Sequence, residues 1–219
     1  MALVTAIEDQ KRNRTRVNIY LDGEYAFSLE KETCARLRIA MGMEIEPEQV
    51  AQAAAQDERR VAFDRALTCL ERRARTEKQV RDYLRAREFA QDVIDDTLQK
   101  LEGYRFVDDA AYAKNFAQGK LNAAGQGPHR IRRALKMQGV PDAVAEQAVS
   151  ELDEERQAQL LAAQAEKVLR RYAALPRREA MGKAGQALYR KGFGWDEIAS
   201  ALRVAYEALE LDKDEDEDF

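Results

Sequence analysis

Hydrophobic and polar residues alternate strictly in one early stretch. Val17, Ile19 and Leu21 are separated by Asn18 and Tyr20; after Asp22-Gly23 the alternation resumes at Tyr25, Phe27 and Leu29. Alternation on both sides of Asp-Gly predicts a β-hairpin, because that dipeptide accepts the left-handed backbone a two-residue turn needs. Leu3 to Ile7 is the candidate for a third strand. A β-meander of about 30 residues buries too little to stand alone and must pack on a neighbour.

From Pro47 the period becomes helical. Phe63, Ala66, Leu67 and Leu70 fall at i, i+3, i+4 and i+7, and Ile94, Thr97, Leu98 and Leu101 do the same. Ala145, Ala148, Val149 and Leu152 follow the pattern again, as do Ile198, Ala201, Leu202 and Ala205. These stretches belong to an internal repeat anchored on Leu84, Leu135 and Leu188, 51 and 53 residues apart. Five residues after each anchor stand Phe89, Val140 and Phe193; then come Ile94, Ala145 and Ile198, and finally Leu98, Val149 and Leu202. Each unit reads as an anchor helix, a tight turn, an apolar plug and a second helix. A preceding helix, at 58–74, 108–122 and 154–174, completes it.

The predicted fold is mainly α: three tandem three-helix, helix-turn-helix-like repeats in an elongated curved array behind a small N-terminal β-meander. The expected boundaries are 1–46 for the extension, 47–106, 107–152 and 153–206 for the repeats, and 207–219 for an acidic tail. One repeat alone can hardly bury its apolar stripe, so neighbours are expected to share core.

Composition sharpens this picture. Charged residues make up 35% of the 219-residue chain and only four are Pro, which favours helices with much solvated surface. No apolar run approaches the roughly 20 residues that span a bilayer, and no export signal opens the chain, so a cytoplasmic protein with no membrane partner is expected. Cys34 and Cys69 read as two reduced, half-buried thiols. The overall charge of −4 is uneven: Glu207 to Phe219 holds eight acids and one Lys, leaving the rest at +3. The run Asp212 to Asp218 has almost no apolar content, so disorder is expected beyond Leu211.

Catalytic machinery is not visible. The chain has one histidine, His129, its cysteines lack paired-ligand spacing, and no phosphate-binding or nucleophile motif occurs. No enzyme activity, cofactor or metal is expected. Asp108-Asp109 reads as a helix cap rather than an acid pair, since neighbours on a helix point about 100° apart. Asp92, Asp95 and Asp96 read as a solvated acidic face.

Binding has more support. No acid lies between Asp109 and Asp142, an interval that holds Lys114, Lys120, Arg130, Arg132, Arg133 and Lys136. Gly127-Pro128 opens the helix there, so free N–H groups beside Arg130 and Arg133 are expected to form an anion site. Arg72, Arg73, Arg75, Lys78, Arg81 and Arg85 surround the anchor helix of the first repeat; Lys78, Arg81 and Arg85 share a face. Arg170, Arg171, Arg177, Arg178, Lys183, Arg190 and Lys191 occupy the third. Together they outline a basic stripe whose expected binding residues are Arg73, Arg75, Lys78, Arg81, Arg85, Lys120, Arg130, Arg132, Arg133, Lys136, Arg190 and Lys191. Base readout by the helices after the turns is disfavoured, because Asp92, Asp95, Asp96, Asp142 and Glu146 would face phosphates.

Four segments in order resemble the RecX family. Leu70-Glu71-Arg72-Arg73-Ala74-Arg75-Thr76 is similar to its L-x-x-R-x-R-S element, with Thr76 in place of Ser. Gly103-Tyr104 followed by Asp108-Asp109-Ala110-Ala111-Tyr112-Ala113 resembles G-Y-D-D-x-x-[FY]-A, with Arg105-Phe106-Val107 interposed. Gly127-Pro128-His129-Arg130-Ile131 with Leu135 and Gly139-Val140 resembles G-P-x-R-I-x-x-x-L-x-x-x-G-[IV]. Leu188-Tyr189-Arg190-Lys191-Gly192-Phe193 resembles L-x-[RK]-[RK]-G-F. The resemblance implies a regulatory, non-enzymatic protein whose partner is the RecA filament on single-stranded DNA. It implies binding along the filament groove, and reduction of RecA's ATPase, strand-exchange and co-protease activities in recombination, DNA repair and the SOS response. A monomer touching the DNA backbone weakly and non-specifically fits that role. The alternative is a freestanding, sequence-independent nucleic-acid-binding module; the 7% aromatic content argues against strong single-strand stacking.

Overall fold

The computed structural model describes residues 1–11 and 14–216, with side chains through Leu209. The chain divides into two compact units, Met1–Val107 and Asp108–Phe219.

The first unit begins with β1 (Ala2–Asp9), β2 (Arg16–Leu21) and β3 (Glu24–Glu30), followed by helix α1 (Lys31–Arg36) and β4 (Glu44–Ile45). The sheet is antiparallel in the order β3-β2-β1-β4. Asp22 and Gly23 turn the hairpin with φ of 49° and 88°, and Leu21 pairs with Glu24 across it, as the Asp-Gly signal predicts. A fourth strand and α1 extend the expected meander. They are too short to show a period, and a two-residue strand carries no alternation to read.

Three helices complete the unit: α2 (Pro47–Glu71), α3 (Glu77–Arg85) and α4 (Gln91–Gly103). The N-terminal half of α2 supplies Val50 and Ala54 to the sheet's core beside Val4, Ile19 and Leu29. There, buried Arg16 reaches from β2 to Glu58 at 2.9 Å, with Glu30 at 4.0 Å. A guanidinium taken out of water needs such carboxylates, so this cluster fixes where the sheet sits on α2. The other half of α2 packs on α3 and α4 through Val61, Ala62, Ala66, Leu84, Ile94 and Leu98.

The second unit has six helices: α5 (Asp109–Ala124), α6 (Pro128–Met137), α7 (Asp142–Ser150), α8 (Glu154–Arg170), α9 (Arg177–Arg190) and α10 (Trp195–Asp216). Helices α5–α7 enclose one core and α8–α10 another. The repeat register holds throughout. Leu84, Leu135 and Leu188 are each fully buried, and Phe89, Val140 and Phe193 plug the three cores. The residue before each plug has positive φ: Glu88 at 62°, Gly139 at 88° and Gly192 at 95°. The turn needs a left-handed residue there, and the first repeat supplies it with a side chain that disfavours it.

One further expectation changes. Cys34 and Cys69 are free, as expected, but fully buried rather than half-buried, and burial pushes the Cys34 thiol up. Helix α10 extends to Asp216. Extending an existing helix adds one hydrogen bond per residue fixed, and Glu and Lys are good helix formers. The rest of the tail expectation falls on residues 217–219, outside the described residues.

Candidate functional site

The anchor helices α3, α6 and α9 carry the predicted cations, and their local surroundings decide what those cations can do. At the junction leading into α3, Arg75 donates from Nε to the Cys69 carbonyl at 3.1 Å, closing the end of α2. Thr76 is the N-cap of α3 and accepts from the Gln79 N–H at 3.2 Å. The L-x-x-R-x-R-[ST]-like segment is thus a helix-to-helix corner. Arg73 is exposed beside it.

On α3 itself the shared face is neutralised. Asp82 pairs with Lys78 at 2.7 Å and with Arg85 at 3.2 Å. Arg81 is held by Glu77 at 2.7 Å and by a close contact with Asp95 of α4. The Lys78 ammonium holds the Asp82 carboxyl below the usual carboxylate range, and Arg81, then Gln91, do so for Asp95. Glu77 and Asp95 in turn raise the Arg81 guanidinium. Asp92 and Asp96 also have a cation, Arg59, at 3.7 and 2.7 Å. The acidic face of α4 is solvated, as expected, and its carboxylates also pair with cations of their own repeat.

Helix α6 is mixed. Arg132 pairs with Glu146 at 2.8 Å and Lys136 with Asp142 at 2.9 Å, both from α7. Lys114 of α5 lies 3.6 Å from Glu151. Arg133 is exposed with no carboxylate at ion-pair distance among the described residues, and Lys120 lies 5.2 Å over the Phe116 ring. The acid-free interval in the sequence is thus balanced only in part, at Lys114, Arg132 and Lys136, by acids of α7 and its C-terminal end.

The start of α6 is not the open anion site expected. The Gly127 N–H donates to the Lys191 carbonyl at 2.9 Å and the His129 N–H to the Gly192 carbonyl at 3.1 Å. Arg130 donates from Nη1 to the Arg190 carbonyl at 3.1 Å. A Cβ on Gly127 would stand 2.4 Å from the Gly192 oxygen, and one on Gly192 would stand 2.5 Å from the Arg130 nitrogen. The G-P-x-R-I-like and R-K-G-F-like segments are therefore one joint between two repeats, with backbone against backbone. Its carbonyls occupy the donors that an anion would use.

Beside this joint stands a different electrostatic environment. Gln164 of α8 donates to the Gly125 carbonyl at 2.9 Å and accepts from the Lys191 ammonium. Burial, and then the neighbouring Lys167, Arg171 and Arg130 in that order, push Lys191 below the usual lysine range. The Arg190 side chain is exposed and donates from Nε to the Gln186 carbonyl at 3.3 Å. Lys167 carries a charge that sequence reasoning missed; its position three residues after Gln164, on the same helical face, was the available signal.

Apolar contact surface is present too. A groove of about 1040 Å³ runs between α7, α8 and α10, lined by Leu152, Leu161, Phe193, Ala201, Val204 and Leu209. Exposed rings gather in two places: Tyr104 and Phe106 beside Phe63, and Tyr189 stacked on Trp195 at 5.0 Å. Asp108 caps α5 by accepting from the Ala111 N–H at 2.8 Å, as read from the sequence. Among the described residues no group of His, Cys, Asp and Glu could hold a metal ion, and no helix is long and apolar enough to cross a membrane.

A β-sheet extension followed by three three-helix repeats, with charged helices and an apolar groove at the surface, defines the class of tandem-helical-repeat proteins. Four family models match the chain in order: the regulatory protein RecX N-terminal domain over residues 2–46, and the first, second and third RecX three-helix domains over 62–101, 108–149 and 154–202. A regulatory protein RecX of Levilactobacillus brevis is 36% identical over the whole chain and 80% of its own length; one of Clostridium botulinum is 34% identical over 94% of this chain and 97% of its own. A crystal structure of regulatory protein RecX matches with TM-score 0.67 at 32% identity, covering 93% of this chain and 99% of that one. The RecX of Lactobacillus salivarius matches with TM-score 0.66 at 29% identity, over 68% of this chain and 97% of its own. The chain belongs to the RecX family of regulatory proteins.

Proposed function

We propose that the chain binds the RecA filament on single-stranded DNA and lowers its ATPase, strand-exchange and co-protease activities, acting by binding and not by catalysis. The observation that carries this reading is the complete, ordered set of RecX domains along the chain. The groove, on whose wall Val204 is exposed, supports a protein partner, because exposed apolar surface of this kind gains from contact with apolar side chains and not from phosphate. Cations without carboxylate partners among the described residues, such as Arg73, Lys120, Arg133 and Arg190, are the contacts best placed to meet acidic surface or DNA backbone. The test is RecA ATPase on single-stranded DNA with rising amounts of the protein, alongside co-sedimentation with filaments. Falling ATPase with co-sedimentation is expected; neither effect would refute the reading.

A freestanding nucleic-acid-binding module is the second reading. The stacked Tyr189–Trp195 pair beside exposed Arg190 favours it, since bases stack on such rings. Tight, salt-dependent DNA binding without RecA would select it, whereas dissociation constants of about 10⁻⁴ to 10⁻⁶ M mark the ordinary non-specific range.

A further inference from the structure

Helix α9 and its C-cap carry two lysines in opposite surroundings. Lys183 pairs with Glu179 at 2.8 Å, and that carboxylate pushes its ammonium above the usual lysine range. Lys191, the C-cap of α9, is half-buried and has no carboxylate at ion-pair distance among the described residues. The groups around it come from three elements. On α8, Gln164 and Lys167 share one side of the helix with Arg171, the residue that ends it. On α6, Arg130 lies against Gly192, the neighbour of Lys191, and His129 turns its ring to Arg132 at 3.2 Å. On α9, Arg190 donates to the Gln186 carbonyl. The nearby acids are engaged elsewhere, Glu166 with Arg170 and Glu179 with Lys183.

Gln164 fixes where the Lys191 amine stands. Its amide nitrogen donates to the Gly125 carbonyl at 2.9 Å, so its oxygen is the atom that accepts from Lys191. A neutral carboxamide orients the group without the negative charge that would hold it protonated; Glu179 does the reverse for Lys183. Burial and the surrounding cations lower Lys191 instead. A lysine of ordinary basicity is uncharged in only about one molecule in a thousand near neutral pH, and whatever lowers that basicity enlarges the share able to attack an electrophile. The same corner thus holds an oriented amine and, beside it, three fixed cations whose N–H groups can grip phosphate oxygens.

We propose that Lys191 is a self-acylation site for acyl phosphates, with Arg130, Lys167 and Arg171 seating the phosphate beside the amine. The uncharged Lys191 amine attacks the acyl carbon, and a C–N bond forms. The C–O bond to phosphate breaks, its electron pair leaves on the phosphate oxygen, and that oxygen takes the surplus amine proton. The products are an N-acyl-lysine and hydrogen phosphate, and no further reactant is needed. An acyl phosphate suits the corner better than a coenzyme A thioester. Its phosphate is bonded directly to the acyl group, so cations converging on the amine can hold it, whereas the phosphates of the thioester lie many bonds away. Acylation removes one positive charge from the joint between the second and third repeats. The site does not depend on a RecA partner.

The experiment is incubation of the full chain with acetyl phosphate near neutral pH, with acetylation at each lysine followed by peptide mass spectrometry. The initial rate at Lys191 should exceed that at Lys183 several-fold, and it should level off at lower pH than the rate at Lys183 as pH is raised. Inorganic phosphate should slow Lys191 selectively. Lys167 and Arg171 are exposed, so Lys167→Gln/Arg171→Gln should keep its helicity by circular dichroism while losing most of the preference for Lys191. With the uncharged N-hydroxysuccinimide ester of acetate in place of acetyl phosphate, the wild-type preference should shrink but persist, because only the nucleophilicity of the amine then operates. Acetylation of Lys191 no faster than that of Lys183 overturns the proposal, as does a double variant with the wild-type preference. An equal preference for both donors, or no slowing by inorganic phosphate, overturns the phosphate seat.

Discussion

Helix α3 and the α8–α9 corner carry cations at the same helical spacing, yet they end in opposite states. On α3 one carboxylate, Asp82, sits between Lys78 and Arg85 and engages both, while Glu77 and Asp95 hold Arg81. At the corner, Lys167 and Arg171 come from α8 and its C-terminal end, Lys191 from the α9–α10 turn and Arg130 from α6, and no acid accompanies them at ion-pair distance among the described residues. The difference lies in how each group is assembled. A face built along one helix brings its own i+3 and i+4 neighbours, acids included. A cluster built by a backbone joint draws side chains from elements whose acids point elsewhere. Cation density along a sequence therefore says little about unsatisfied charge; the route by which the cations meet says more.

The largest test breaks the joint. Gly127→Ala places a Cβ 2.4 Å from the Gly192 oxygen, and backbone cannot swing aside as a long side chain can. Loss of about 3 kcal/mol or more in stability is expected, read by urea denaturation with circular dichroism, together with loss of whatever the cation corner binds. Next, the comparison can be inverted: Asp82→Asn frees Lys78 and Arg85 in one step, and should give the α3 face several-fold tighter oligonucleotide binding with a steeper salt dependence. Acid does the same without mutation. Asp82 and Asp95 titrate below the ordinary aspartate value of 3.8, so their pairs contribute above it and are lost as pH falls through the lowered folded-state values. Melting profiles at stepped pH should therefore show this loss only in strong acid, and Asp82→Asn should diminish it. A smaller effect is expected at the turn: Glu88→Gly should stabilise the chain by about 1 kcal/mol, the cost of a side chain in the left-handed region. Smallest is the tail. Removing residues 212–219 deletes six acids and one lysine, so oligonucleotide affinity should rise less than about tenfold at low salt and converge with wild type as salt screens beyond about 8–10 Å.

The repeat was legible because apolar spacing is a local property. Leu84, Leu135 and Leu188 and their plugs announced the three cores, and the Asp22-Gly23 turn and the Asp108 cap were legible for the same reason. The anion site assigned to the start of α6 failed because its occupants, the Lys191 and Gly192 carbonyls, lie over sixty residues away in sequence. The state of α3 was half legible. Asp82 stands four residues after Lys78 and three before Arg85, a spacing that already implied pairing, whereas Asp95 arrives from the next helix. Arg16 gave no sign in the sequence that it would be buried with Glu58. Such a pairing follows from how the sheet docks, and no periodicity encodes it.

The contact between Gly127 and Gly192 also bears on how such an array can change over generations. Repeat proteins grow and shrink by inserting or deleting whole units, which works when every boundary is interchangeable. This boundary is not: each side has surrendered a side chain so that the other can approach, and neither surface would fit a repeat with an ordinary residue at the matching place. The second and third repeats are thereby matched to each other as lock to key. A duplication that separated them would have to recreate both glycines at once, so this pair should be inherited, exchanged or lost as a single module.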